Sequence, residues 1–177
     1  MGMFLPINYI ILEAEHYGMS TDLAQYMVAI LNAASLFGRT IPGYLADNIG
    51  RFNMMVIMTA FTAIIILALW IPATANAPII VFAVLFGFGS GAFVSLAPSL
   101  IAQISDVRKI GVRTGTLFAV ISVAALISNP IGGQLITRDH GGYLQLQIYT
   151  GVMCLGGAIV LVLARVKVGG AGLMTKV

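Results

Sequence analysis

Five stretches of this chain, residues 24–46, 54–71, 78–104, 111–136 and 146–166, are long and apolar enough to cross a lipid bilayer. A helix needs roughly 20 apolar residues for that. Hydrocarbon offers peptide groups no hydrogen-bond partner, so each such segment has to close its own bonds as a helix. Only 8% of the residues are charged and the mean hydropathy is +1.01, against about 25% charged in an ordinary soluble domain. A soluble, fully buried α/β core would need helices with polar faces, and the runs have none. Residues 1–12 are apolar but too short to span. They lack the basic start and small-residue cleavage pattern of a signal peptide, and read as the outer end of a further helix in which Pro6 kinks the backbone and Asn8 makes a polar contact. The expected fold class is therefore an all-α membrane protein, a polytopic helix bundle of five full transmembrane helices plus a partial one.

Charge is distributed by side. With the 47–53 turn placed inside, the inner ends carry Arg51, Arg108, Lys109, Arg113, Arg165, Lys167 and Lys176, and the outer ends only Arg138. This bias puts the C-terminus in the cytoplasm. Glu13, Glu15, Asp22 and Asp139 fall outside. The cations sit in short clusters separated by hydrocarbon-length segments, which does not suit a nucleic-acid partner. The partner implied instead is the lipid bilayer. Because the first full span begins outside, the simplest account is that an upstream half is absent from this sequence. The single Cys154 lies in an apolar run and supports no disulfide framework.

Small residues form stripes. Gly87, Gly91, Ser95 and Ser99 recur every four residues in the third full span, Gly111 and Gly115 repeat the spacing in the next, and Gly151, Gly156 and Gly157 thin the last. Such stripes let helix backbones approach closely. They serve either fixed packing or helices that rock against one another. Pro98 and Pro130 are expected kinks.

Arg39 is the candidate for chemistry. It lies eight residues before Asp47, about 12 Å along a helix at 1.5 Å per residue. A charge at that depth costs at least ~2.5–3.5 kcal/mol on insertion scales, so it needs a partner or a wet cavity. Asn32 and Ser35 precede it by seven and four residues and share its helical face. A planar guanidinium beside an amide and a hydroxyl suits bidentate capture of a carboxylate. The other reading is a structural arginine paired with an acidic residue on another helix. No acidic residue in this sequence lies at matching depth, so that partner would belong to a missing half.

The segment 43–53, Gly-Tyr-Leu-Ala-Asp-Asn-Ile-Gly-Arg-Phe-Asn, is a tight charged turn between two apolar runs. Gly43, Asp47, Gly50 and Arg51 carry it: small residues for approach, an anion, a glycine for sharp reversal and a headgroup anchor. The pattern G-x-x-x-D-x-x-G-R resembles the loop signature of the major facilitator superfamily of secondary transporters. Asn32-Ala-Ala-Ser35-Leu-Phe-Gly38-Arg39-Thr-Ile-Pro42-Gly43, Gly87-Phe-Gly-Ser90-Gly91 and Asn129-Pro130-Ile-Gly132-Gly133 are similar to its monocarboxylate-transporter-like branch, fungal members above all. The similarity covers essentially the whole chain and corresponds to the C-terminal half, helices seven to twelve. It implies movement of a small organic anion by alternating access, in the plasma membrane, with Arg39 holding the carboxylate and Asn32 and Ser35 lining the site. Those relatives place an aspartate for proton coupling where this chain has Ser35. The superfamily's loop pattern also has basic residues where this chain has Asn48 and Phe52-Asn53. The resemblance further implies that Asp47 engages the N-terminus of a helix in the opposite half and holds the inner gate closed. Its alternative is a helix-end carboxylate that pairs only with Arg51. A half has one wall of such a site, so an N-terminal half or a second copy is the expected partner.

Enzyme classes find little support. His16 and His140 sit in loops and offer zinc too few ligands. The Gly89-Ser90-Gly91 triplet lacks the preceding glycine of a membrane serine protease, and no span contains a histidine to act as base. No catalytic residue, cofactor or metal is expected. Two other classes stay open: a non-transporting membrane protein that associates with a full-length relative, and the inert product of a truncated gene.

Overall fold

The computed structural model describes residues 2–169, and their backbone is helical almost throughout. The helices are α1 (Phe4–His16), α2 (Thr21–Ile49), α3 (Arg51–Ile65), α4 (Asn76–Gln103), α5 (Ile110–Arg138) and α6 (Leu144–Gly169). A π-helical turn, Ile66–Trp70, prolongs α3, and a 3₁₀ turn, Val107–Lys109, leads into α5. Lys176 and the C-terminus, which the sequence places inside, lie outside the described residues.

Each expected span lies within a helix or a helix and its π turn, give or take one residue. Four segments are long and apolar enough to cross a membrane by length and composition: Arg51–Trp70, Asn76–Gln103, Val107–Arg138 and Leu144–Val168. Helix α2 has the length but not the uniform hydropathy, because Asn32, Ser35, Arg39, Thr40 and Asp47 interrupt it. Its place is set by packing. Ala24, Met27, Leu31, Ser35, Gly38, Pro42 and Ala46 are its buried residues, a stripe spaced by three and four that marks one helix face.

That face lies on α4 at backbone distance. A methyl group at Gly87 would strike the Leu31 carbonyl, one at Gly91 the Ser35 carbonyl, and one at Gly38 the Phe88 carbonyl. Gly89, on the adjacent face of α4, meets the Thr62 hydroxyl of α3 in the same way. Lipid tails are as apolar as leucine, so helices gain little from hiding apolar surface from them. Close van der Waals contact between backbones is what replaces that drive. The expectation for Gly111 and Gly115 fares differently: neither has a heavy atom within reach of an added Cβ. The reason is position, since α5 lies at the edge of the bundle and has no fully buried residue in its apolar window.

Side chains fill two clusters. One gathers Ile10, Met27, Leu31, Ile66, Trp70, Ile79, Phe82 and Phe86 near the α1–α2 turn. The other gathers Ala46, Phe52, Met54, Met55, Met58, Leu96 and Leu100 at the opposite end, and Phe61 packs against both. Buried hydroxyls answer to their own helices: Thr62 donates to the Met58 carbonyl at 2.8 Å and Thr150 to that of Leu146 at 2.6 Å. Large apolar residues such as Val120, Leu126, Val160 and Leu163 face outward, as a bilayer or a neighbouring helix layer requires.

The α2–α3 reversal takes one residue. Gly50 has φ +101° and ψ 137°, backbone that residues with a Cβ reach only under strain. Gly50→Ala should therefore cost about 1–3 kcal/mol, read as a lowered melting temperature in detergent. Gly91→Val should cost more, since it forces α2 and α4 apart. Gly156→Ala, where an added methyl meets nothing, should melt like the parent; equal losses at Gly91 and Gly156 would refute the close-packing account.

Candidate functional site

Helix α2 carries the sequence-predicted binding residues, and its rotation decides what each can reach. Asn32 follows buried Leu31 and Arg39 follows buried Gly38. Each is turned about 100° from the stripe that meets α4. Both are exposed, on the same flank of the helix, and can face a cavity. Ser35 sits on the stripe itself. It is buried against Gly91, and its hydroxyl donates to the Asn32 carbonyl at 2.9 Å. It therefore backs the Asn32–Arg39 flank instead of opening onto it. Among the described residues no carboxylate comes within 4 Å of the Arg39 guanidinium. Its five N–H donors are free for an external acceptor, and a carboxylate can take two of them in parallel.

The predicted gate segment is mostly helix. Gly43 and Asp47 belong to the last turns of α2, Gly50 alone departs from helical backbone, and Arg51 opens α3. Gly43 has open space where a side chain would stand. Asp47 is 67% exposed, with its Oδ1 3.6 Å from the Arg51 guanidinium. Arg51 also donates to the Ser99 carbonyl of α4 at 3.3 Å. The turn is thereby fixed to α4 through its cation, while its anion stays presented to the outside of the bundle. At the same end Arg165 of α6 donates to Asn53 Oδ1 at 2.5 Å, and Arg113 of α5 to the Ile104 carbonyl at 3.0 Å. Three helices thus bring their arginines together at one end, which is the asymmetry read from the sequence.

Helix α5 is held differently. The Asn8 side-chain amide donates to Asn129 Oδ1 at 2.7 Å, and the Tyr9 hydroxyl to the Asn129 carbonyl at 2.8 Å. Leu5 and Tyr9 crowd Gly132, so a side chain there would collide with both. Pro130 follows Asn129 and leaves the Leu126 carbonyl without its usual helix donor. Beside it an open hollow of about 610 Å³ is lined by Pro130, Gly133, Gln134, Thr137 and Arg138.

One polar cluster escapes the sequence reading. Glu13, which the sequence places on the outer side without a partner, is fully buried. Trp70 Nε1 donates to its Oε2 at 2.6 Å and Gln147 Nε2 to its Oε1 at 2.6 Å. Gln147 Nε2 also donates to the Trp70 carbonyl at 3.1 Å. No spacing rule joins residues 57 and 134 positions from Glu13. Among the described residues no three metal-ligating side chains come together.

Comparison with known proteins fits this architecture. The sequence profile of the Major Facilitator Superfamily matches residues 1–172. The chain is 56% identical over 177 residues to MFS-type transporter 1 of Ophiocordyceps sp. (strain BCC 1869), covering 100% of this chain and 39% of that protein. It is 50% identical over 175 residues to MFS transporter asaE of Aspergillus flavus, covering 99% of this chain and 40% of the relative. With the Fujikurins efflux protein of Gibberella fujikuroi it shares 46% identity over 165 residues, 93% of this chain and 36% of that one. The chain spans about two fifths of the length of these curated relatives. An all-helical membrane bundle that matches the superfamily profile over nearly all its residues belongs to the Major Facilitator Superfamily, a family of transporters and not of enzymes.

Proposed function

We propose that this chain is the C-terminal half of a transporter that moves a small, carboxylate-bearing organic solute across a membrane by alternating access. The observation that carries this reading is Arg39: a guanidinium midway along a bundle helix, exposed on one flank with Asn32, with no carboxylate within 4 Å among the described residues. Keeping a cation there is costly unless it meets water or an anion. Arg39 binds the solute's carboxylate, Asn32 contacts it from one helical turn-pair away, and Ser35 stiffens that flank through the Asn32 carbonyl. Transporter sites of this kind lie near the midplane between two halves. The uncovered faces of α2 and α5 then receive an N-terminal half or a second copy. A relative named for efflux of fujikurins favours export of a small organic product as the direction of transport.

At the other end Asp47 acts as the inner gate's anion. It is the more exposed partner of its ion pair, which leaves it able to engage the positive end of a helix in the opposite half. The arginine-rich end then faces the cytoplasm, the C-terminus lies there too, and the plasma membrane is the membrane crossed. A second reading draws on the α5 helix, whose apolar window has no buried residue: a non-transporting membrane protein that associates with a full-length relative. Lowered export by that relative on co-production would favour this reading.

The test compares the organic anions in medium and cells, by untargeted mass spectrometry, for strains that lack the gene or carry it in natural form or as variants. Arg39→Ala, at normal membrane abundance, should lower export of at least one anion by about tenfold or more, the loss expected of charge-assisted bonds. Arg39→Lys should recover only part, because an ammonium cannot bind in a bidentate way. Unchanged export by Arg39→Ala rejects the binding role. Asp47→Asn should slow turnover by roughly two- to fivefold, the scale of a helix-end charge contact, while the concentration giving half-maximal rate stays put.

A further inference from the structure

Helices α1 and α2 form a hairpin closed by residues 17–20, and α2 carries Arg39. The hairpin's backbone-close packing is between α2 and α4, while Leu5, Ile10 and Ala14 of α1 are buried in the shared apolar core. The outer end of α1 is joined to α3 and α6 in another way, through the buried carboxylate of Glu13. Its two oxygens are shared out: Oε2 takes the indole N–H at the end of the α3 π turn, and Oε1 takes the amide of Gln147 near the start of α6. The indole is itself fixed, stacked on Phe82 of α4 with ring centroids 4.8 Å apart and planes 7° from parallel. Neither donor is charged, and among the described residues no cation lies within 4 Å of the carboxylate. A buried carboxylate keeps such a place only while both hydrogen bonds are made.

We propose that Glu13, Trp70 and Gln147 are a clasp at the outer end of the bundle, the joint by which the α1–α2 hairpin is coupled to the α3–α6 pair. The π turn is part of it, since that change of helical register aims Trp70 at the carboxylate; such turns recur where a helix is adapted to a task. Because both of its bonds end on one side chain, the clasp opens as a unit. Helix α1 then keeps its tie to Asn129 on α5, its packing on α2 and the contact of Gly2 with Thr150 and Cys154 of α6, but its Glu13 end loses its fixed distance from the π turn and the start of α6. The clasp is a positioning device and touches no solute; its relevance to transport rests on the reading of Arg39 above, its existence does not.

Trp70 is the only tryptophan in the chain, so the clasp carries its own probe. The experiment measures acrylamide quenching and emission wavelength of Trp70 in the membrane-embedded natural gene product, as the difference from a Trp70→Phe control. Gln147→Glu sets two carboxylates face to face. It should raise quenching several-fold and shift emission to the red. Adding Glu13→Gln to that variant restores complementarity: the new amide offers its oxygen to the indole and its N–H to the new carboxylate, while Ala73 N–H still serves the Trp70 carbonyl. The double variant should return both signals to their original values. A double variant as exposed as Gln147→Glu alone overturns the clasp, and so does an unchanged signal in Gln147→Glu. If Gln147→Glu fails to accumulate in membranes, recovery of accumulation by the second substitution supports the clasp and its absence refutes it. Failure of the Arg39 export test would leave this spectroscopic result untouched.

Discussion

Contact between the backbones of α2 and α4 is the constraint on which the rest depends. Gly38, Gly87 and Gly91 let carbonyl groups of one helix lie where side chains of the other would be. In a bilayer this intimacy replaces the hydrophobic drive that assembles soluble helices. Its geometric result matters as much. By fixing which stripe of α2 is buried, it fixes the flank on which Asn32 and Arg39 emerge, since each is the next residue after a stripe position. The direction in which Asn32 and Arg39 emerge from α2 is set by glycines on α4.

Polar groups divide into two economies in this structure. Hydroxyls of Ser35, Thr62, Ser90 and Thr150 are satisfied by carbonyls of their own helix and make no demand on other helices. Asn8, Glu13, Asn129 and Gln147 instead bond across helices. They lie on α1, α5 and α6, which have fewer close backbone contacts. At these joints side-chain amides and a carboxylate act beside glycines such as Gly132 and Gly151.

The helices were legible because apolar length is a local property. The Asn32–Arg39 flank was half legible: the spacing of Asn32, Ser35 and Arg39 reports a shared face, but not that the edge of that face is covered by α4. Gly87 with Gly91 and Gly111 with Gly115 have the same spacing, yet the first pair touches α2 and the second meets open space. A stripe says that something could approach, not what does. Glu13 was illegible for another reason. Next to Glu15, His16 and Gly18 it has the neighbours of a solvated loop residue. Its burial is decided by an indole and an amide from distant parts of the chain. The gate segment reads as a loop because Gly43, Asp47 and Gly50 are loop-like residues. The reversal needs only the last of them, and the others stay helical.

That one-residue reversal has a mechanical consequence. A connection of several residues would let α2 and α3 slide or tilt independently, like two rods on a string. With only Gly50 between Ile49 and Arg51, and Arg51 bonded to Ser99 of α4, the ends of three helices are welded at that surface. Relative movement of α2, α3 and α4 is then confined to their opposite ends, where residues 71–75 leave slack between the π turn and α4.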